Sequence, residues 1–272
     1  MPPSTLTSGT RLGAHEILTA IGAGTPQQLT FGGRNLYPIW TPDSRSITFQ
    51  SDREGDRGIW EQPADGTGSA VRLIKAESGA SYAPETWTPD GKTLLYRASV
   101  GAAISLRTFA RDGSSSKPFE EKAPPLQSNV SLSPDGRWLA YSAQDGPTIP
   151  PHVFIQPFPP TPTGGMREIP ADVATSPRWS HDGSQIFFDD GQATEHLMVI
   201  DVRASSGLNF GNATPIQTAG MMKPSATWRP YDVTSDDKRI IMVTISANGI
   251  ARPTMNVVVN WDEELNAKVP IK

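Results

Sequence analysis

The chain has 272 residues, 36% of them hydrophobic, with no cysteine and a formal net charge of −4 from 24 basic and 28 acidic side chains. Without cysteine there can be no disulfide, thiolate metal site or cysteine nucleophile, and without a basic stripe a nucleic-acid partner is not expected. No apolar run reaches the roughly 18–20 residues of a membrane span, and no basic stretch followed by an apolar one opens the chain, so the text as written reads as cytoplasmic.

Residues 1–8 are small and polar. The stretch GTRLGAHEILTAIGAGT at 9–25 differs from everything after it. It resembles the first strand and glycine loop of bacterial serine/threonine kinases. Gly22 and Gly24 match that loop, while Gln27 and Leu29 stand where its third glycine and its valine belong. The lysine strand, the catalytic loop and the magnesium-binding triplet of a kinase have no counterpart in the text, so phosphoryl transfer is not expected. Residues 1–25 are therefore read as a leader and 26–272 as one domain.

From residue 26 a short text recurs. It reads WTPDSRSITF at 40–49, WTPDGKTLLY at 87–96, LSPDGRWLAY at 132–141, WSHDGSQIFF at 179–188 and VTSDDKRIIM at 233–242. The central aspartates Asp43, Asp90, Asp135, Asp182 and Asp236 are spaced by 47, 45, 47 and 54 residues. Strand-forming text at a period of about 40–50 predicts propeller blades. Each of the first four units supplies four strands, for example the text up to Trp40, SITFQS, IWEQPA and AVRLI, with a tight Asp65–Gly66 turn between the last two, while the fifth stops at its third strand. The fold class expected is all-β, a propeller of four-stranded antiparallel blades. Five blades are favoured, closed by pairing PQQLTF (26–31) beside MNVVVNW (255–261), with six if the leader contributes. The closing WDEELNAKVPIK is expected to make a short helical turn.

The turn chemistry explains the repeat. Proline presets φ at the second position, aspartate bonds the backbone just beyond, and glycine takes the positive φ. Ser44 and Asp237, which replace that glycine, read as drift of a structural turn. The pairs Ile47/Phe49, Leu94/Tyr96, Leu139/Tyr141 and Ile186/Phe188 alternate with period two and should face a neighbouring blade. Trp40, Trp87 and Trp179 are expected to pack between blades.

From about residue 27 onward the text resembles the C-terminal propeller that follows the kinase domain in many soil-bacterial serine/threonine kinases, with the TolB-type repeat. The matching phrases are QPADGTG at 62–68, LSPDGRWLAYSA at 132–143, VFIQPFP at 153–159, YDVTSDDKRIIMV at 231–243 and VVVNWDEEL at 257–265. The resemblance implies a further blade before the QLTF text and an extracytoplasmic propeller in the parent architecture. It also implies a sensor or interaction role.

Little in the text points to chemistry. His15, His152, His181 and His196 fall in no metal-binding spacing, no G-x-S-x-G elbow is present, and neither cofactor nor metal is expected. The function read from the sequence is a non-catalytic binding or scaffold module, monomeric, taking a protein or small ligand on one propeller face. The alternatives are a glycosidase-like propeller hydrolase with channel carboxylates and a truncated remnant without function. Recognition loops at 52–58, 98–103, 144–151, 190–195 and 246–253 would carry the binding face. Its candidate residues are Arg53, Arg57, Asp145, His152, Glu195 and His196.

Overall fold

The structure, a computed structural model, describes residues 18–19, 27–119, 127–144, 146, 148–161, 165–191, 196–204, 207–218, 229–244 and 254–259. Among them every regular element is a strand. The chain divides into two compact units, Met1–Glu121 and Lys122–Lys272.

The first unit holds a short pair, β1 (Leu18–Thr19) with β2 (Gln27–Gln28), and two four-stranded sheets. One sheet runs β3 (Asn35–Trp40), β4 (Ser46–Ser51), β5 (Gly58–Pro63), β6 (Val71–Ile74). The other runs β7 (Ala80–Trp87), β8 (Thr93–Val100), β9 (Ala103–Ala110), β10 (Ser116–Pro118). Each is an antiparallel meander in chain order, as the repeat predicts for a blade.

In the second unit a third sheet runs β11 (Ser128–Leu132), β12 (Trp138–Ala143), β13 (His152–Pro157), β14 (Arg167–Glu168). The fourth has β15 (Thr175–Trp179), β16 (Gln185–Asp189) and the long β17 (His196–Ala204). That last strand pairs with β18 (Leu208–Phe210) at one end and β19 (Thr214–Gln217) at the other. The fifth sheet is three-stranded among the described residues: β20 (Tyr231–Val233), β21 (Arg239–Thr244), β22 (Thr254–Val259). PQQLTF was expected to complete this last sheet. Its Gln27 and Gln28 pair instead with Thr19 and Leu18 of the leader, a local closure that costs little loop entropy.

The first-to-second strand turns share one clamp. A hydroxyl two residues before each repeat aspartate donates to its Oδ1: Thr41 to Asp43, Thr88 to Asp90, Ser133 to Asp135, Ser180 to Asp182 and Thr234 to Asp236, at 2.5–2.7 Å. The same Oδ1 accepts the backbone N–H two residues later, at Arg45, Lys92, Arg137, Ser184 and Lys238. The hydroxyl in turn accepts the N–H that opens the second strand, as Ser46 N to Thr41 Oγ1 at 3.0 Å. The residue after the aspartate adopts positive φ in all five, including Ser44 (57°) and Asp237 (55°).

Asp237 is more than drift. Its carboxylate accepts His181 N at 2.7 Å and Asp182 N at 2.9 Å, tying the turn of the fifth sheet to that of the fourth.

The apolar pairs of the second strands are buried as expected, and so are the residues between them: Thr48, Leu95, Ala140 and Phe187 are all 0% exposed. Period-two alternation is lost because these strands are covered on both faces. Phe187 joins a cluster with Tyr231 and Ile240, while its neighbours Ile186 and Phe188 join one with Val153 and Trp179.

Trp87 and Trp179 are buried as predicted, and Trp87 Nε1 donates to Thr48 Oγ1 of the preceding sheet at 2.9 Å. Trp40 departs from that pattern at 52% exposed. Before it the described residues hold only the two-residue strands β1 and β2.

Two outcomes test this account. Ser44→Gly relieves a left-handed serine and should raise stability by up to about 1 kcal/mol. Asp237→Gly relieves the same strain but removes the bonds to the neighbouring turn, and should be a net loss of about 1–2 kcal/mol by chemical denaturation.

A third outcome concerns pH. In Asp43, Asp90 and Asp236 the hydroxyl bond is the leading cause that holds the carboxyl below its ordinary 3.8. In Asp135 and Asp182 burial opposes the shift, and the hydrogen bonds outweigh it. Because the folded values are depressed, their contribution is complete above about pH 5 and is lost as pH falls through the folded values. The melting temperature should fall between about pH 5 and 3, and Asp90→Asn should flatten that fall while lowering the melt at neutral pH.

Candidate functional site

The first strand of each of the first four sheets carries a bulge that places two residues opposite one. The register shifts between Leu36 and Ile39, Pro84 and Thr86, Ser128 and Ser131, and Thr175 and Arg178. A bulge of this kind redirects a side chain and sharpens the local twist. Tyr37, Asn129 and Ser176 sit within these bulges at φ 53–56°. In the second sheet the bulged residue is Glu85.

In the first unit the bulges of β3 and β7 face a common support. Arg97 on β8 pairs with Glu85 at 2.8 Å, with both side chains under 10% exposed, and its guanidinium lies 5.1 Å from the centre of the Tyr37 ring. A buried pair in contact with an aromatic face holds that ring from beneath.

Above Tyr37 lies a cleft of about 320 Å³, lined also by Arg34, Gln50, Asp52, Arg57 and Ser81. Its walls are pinned through the backbone. Arg34 N donates to Asp52 Oδ1 at 2.6 Å, and Tyr82 N donates to Arg57 O at 2.9 Å. Gln50 Nε2 donates to Ser81 Oγ at 3.0 Å and to Tyr82 O at 2.6 Å. Gly33 lets the loop approach closely, since a Cβ there would meet the Arg53 backbone at 2.9 Å.

The two guanidiniums at the cleft, Arg34 and Arg57, are exposed and have no carboxylate partner among the described residues.

Of the residues the sequence proposed for a binding face, Arg57 lines this cleft. Arg53 turns inward: it lies 4.8 Å from the centre of the Trp60 ring and 5.2 Å from that of Phe49, and donates to Asn35 Oδ1. Burial lowers its pKa, though the nearby Glu54 opposes the shift. Trp60 also contacts Arg72, at 4.9 Å and paired with Glu54 and Asp56.

His152 opens β13 in the second unit and lies 2.7 Å from Glu168 on β14. His196 opens β17, whereas Asp145 and Glu195 lie outside the described residues. Arg34, Tyr37 and Gln50 were missed by loop-based reasoning, because two of them sit on strands and the third just before one. The tight Gly32–Gly33 turn before Arg34 was the available signal.

The third-to-fourth strand turns carry the same economy of carboxylates. Asp65 and Asp112 each accept the N–H two residues on. The five repeat aspartates and these two turn aspartates are thus all engaged with their own backbone.

TolB of Acinetobacter baumannii superposes with a TM-score of 0.68 at 17% identity, over 88% of this chain and 55% of that one. The fold is that of a TolB-like β-propeller. The propeller likeness extends to an oligogalacturonate lyase of Vibrio parahaemolyticus, at a TM-score of 0.51 and 13% identity over 86% of this chain and 80% of that one. In sequence, the propeller matches the "Uncharacterized peptidase YuxL" of Bacillus subtilis at 29% identity, over 45% of this chain and 24% of that protein. The chain thus spans about a quarter of that relative and about half of the TolB chain. No family model matches.

The expectation of a non-enzyme is corrected by the Bacillus match: the repeat text occurs in a protein named a peptidase, so it does not mark a chain without catalysis. A propeller is a scaffold, and the scaffold does not set the chemistry it carries.

The support beneath Tyr37 has a measurable consequence. Arg97→Met leaves Glu85 buried without its cation and should cost about 3 kcal/mol. Arg137→Ala, which removes an exposed pair with Asp135, should cost well under 1 kcal/mol by the same denaturation measurement.

Proposed function

We propose that the chain is a recognition propeller that takes peptide-like ligands in the cleft of its first unit. One observation carries the reading: two guanidiniums without a carboxylate partner among the described residues line a cleft whose walls are pinned by backbone hydrogen bonds and by a ring stacked on a buried ion pair. Pre-set walls lower the ordering cost of binding, and a few polar groups converging in a concavity give it direction.

The peptidase name of the Bacillus relative favours peptides as the ligand class. In this reading the propeller selects and orients a peptide, and hydrolysis is the reaction it serves.

The test is saturation-transfer NMR of the full chain with an equimolar mixture of unlabelled tri- to pentapeptides, the same samples being read for cleavage by mass spectrometry. Transfer to a subset of peptides is expected, reduced by Tyr37→Asn, a substitution that keeps a residue tolerant of positive φ. Cleavage products would place catalysis within this chain. Absence of transfer to any peptide would overturn the reading.

A further inference from the structure

The cleft in the first unit has a charge composition that says more than its shape. Arg53, Arg72, Arg97 and Arg111 of the same unit each have a partner: an amide, a carboxylate or an aromatic ring. Arg34 and Arg57 have none among the described residues, yet their backbones are held in place by Asp52 Oδ1 and by Tyr82 N. A guanidinium is a planar fork that matches a carboxylate or a phosphate with two parallel hydrogen bonds.

Asp52 decides between those anions. Its carboxylate lies in the same cleft, so two positive charges face one negative, and a single positive charge remains. That balance suits a monoanion. A phosphate dianion would meet Asp52 with an extra repulsive charge.

The rest of the lining suits the chain behind such a group. Gln50 spends its amide N–H groups on Ser81 and Tyr82, which leaves its Oε1 as an acceptor for a ligand N–H. Tyr37 supplies a flat wall whose position is set by the bulge and by Arg97. A volume of about 320 Å³ has room for the end of a short peptide, at the low end of the range for ligand pockets.

We propose that this cleft is a carboxylate-recognition site, in which Arg34 and Arg57 clamp the terminal carboxylate of a peptide-like ligand while Gln50 and Tyr37 hold the residue behind it. The inference rests on the recognition reading above and specifies the group recognised. It would make the propeller select peptide ends over internal segments.

The experiment is isothermal titration of the full chain with trialanine as the free acid and as its C-terminal amide. The free acid should bind about tenfold more tightly or better, as expected for hydrogen bonds to a charged group. The double variant Arg34→Gln/Arg57→Gln should abolish that difference while its thermal melt stays that of the parent, both side chains being exposed. Alanine displacing the acid as well as unlabelled trialanine does would assign the same carboxylate chemistry to a free amino acid. Equal binding of acid and amide by the parent would overturn the carboxylate site and leave peptide recognition standing. Inorganic phosphate displacing trialanine better than acetate would overturn the choice of anion. No binding of either peptide here, together with no transfer in the peptide mixture, would remove the recognition reading itself.

Discussion

The structure depends on one small clamp, a hydroxyl and a carboxylate two residues apart that close each turn between first and second strands. Thr41, Thr88, Ser133, Ser180 and Thr234 each donate to the aspartate that follows and receive the N–H that starts the second strand. The hydroxyl, the carboxylate and the N–H that opens the second strand are satisfied locally. The clamp sets where the second strand begins. In a sheet, a slip of one residue sends every side chain to the opposite face. For strands buried on both faces, such as Gln185–Asp189, a slip would also break the packing with both apolar clusters that the strand joins.

The clamp explains why the turns tolerate substitution next to the aspartate and not at it. Three of the five use glycine at the left-handed position, one serine and one aspartate. The serine spends strain for no visible contact. The aspartate at 237 uses the same geometry to aim its carboxylate at the neighbouring turn, where it receives two backbone N–H groups. Loss of the glycine brings only strain in one turn and is put to use in the other, a distinction that only the third dimension supplies.

Most of the fold was legible in the text for a physical reason: the repeat encodes a local device, and local devices show up at fixed spacing. Four-stranded meanders, the turn aspartates and the buried Trp87 and Trp179 follow from it directly. What was not legible depends on neighbours distant in sequence. Trp40 has the same text around it as Trp87, but among the described residues only the short strands β1 and β2 precede its sheet, and it stands half-exposed. Arg53 and Arg57 lie in one loop and look equivalent. One is drawn onto Trp60 and Phe49, and the other is left at the cleft. The bulges carry no constant residue, being occupied by Tyr37, Glu85, Asn129 and Ser176, so no motif could announce them.

These bulges link scaffold and site. A regular first strand would place every side chain along a flat pleat, alternating between the two faces. The extra residue breaks that alternation and frees one side chain per strand from the packing rule. In the first unit the two freed positions are Tyr37 and Glu85. Arg97 joins them, bonding one and stacking on the other. Its charge is neutralised below, so the ring above it can be held firmly without a bare cation beneath it. The guanidiniums of Arg34 and Arg57 at the cleft have no such neutralisation among the described residues. Two kinds of arginine within one small unit, one compensated and buried, the other uncompensated and exposed, separate the part of the site that is structure from the part available to a ligand.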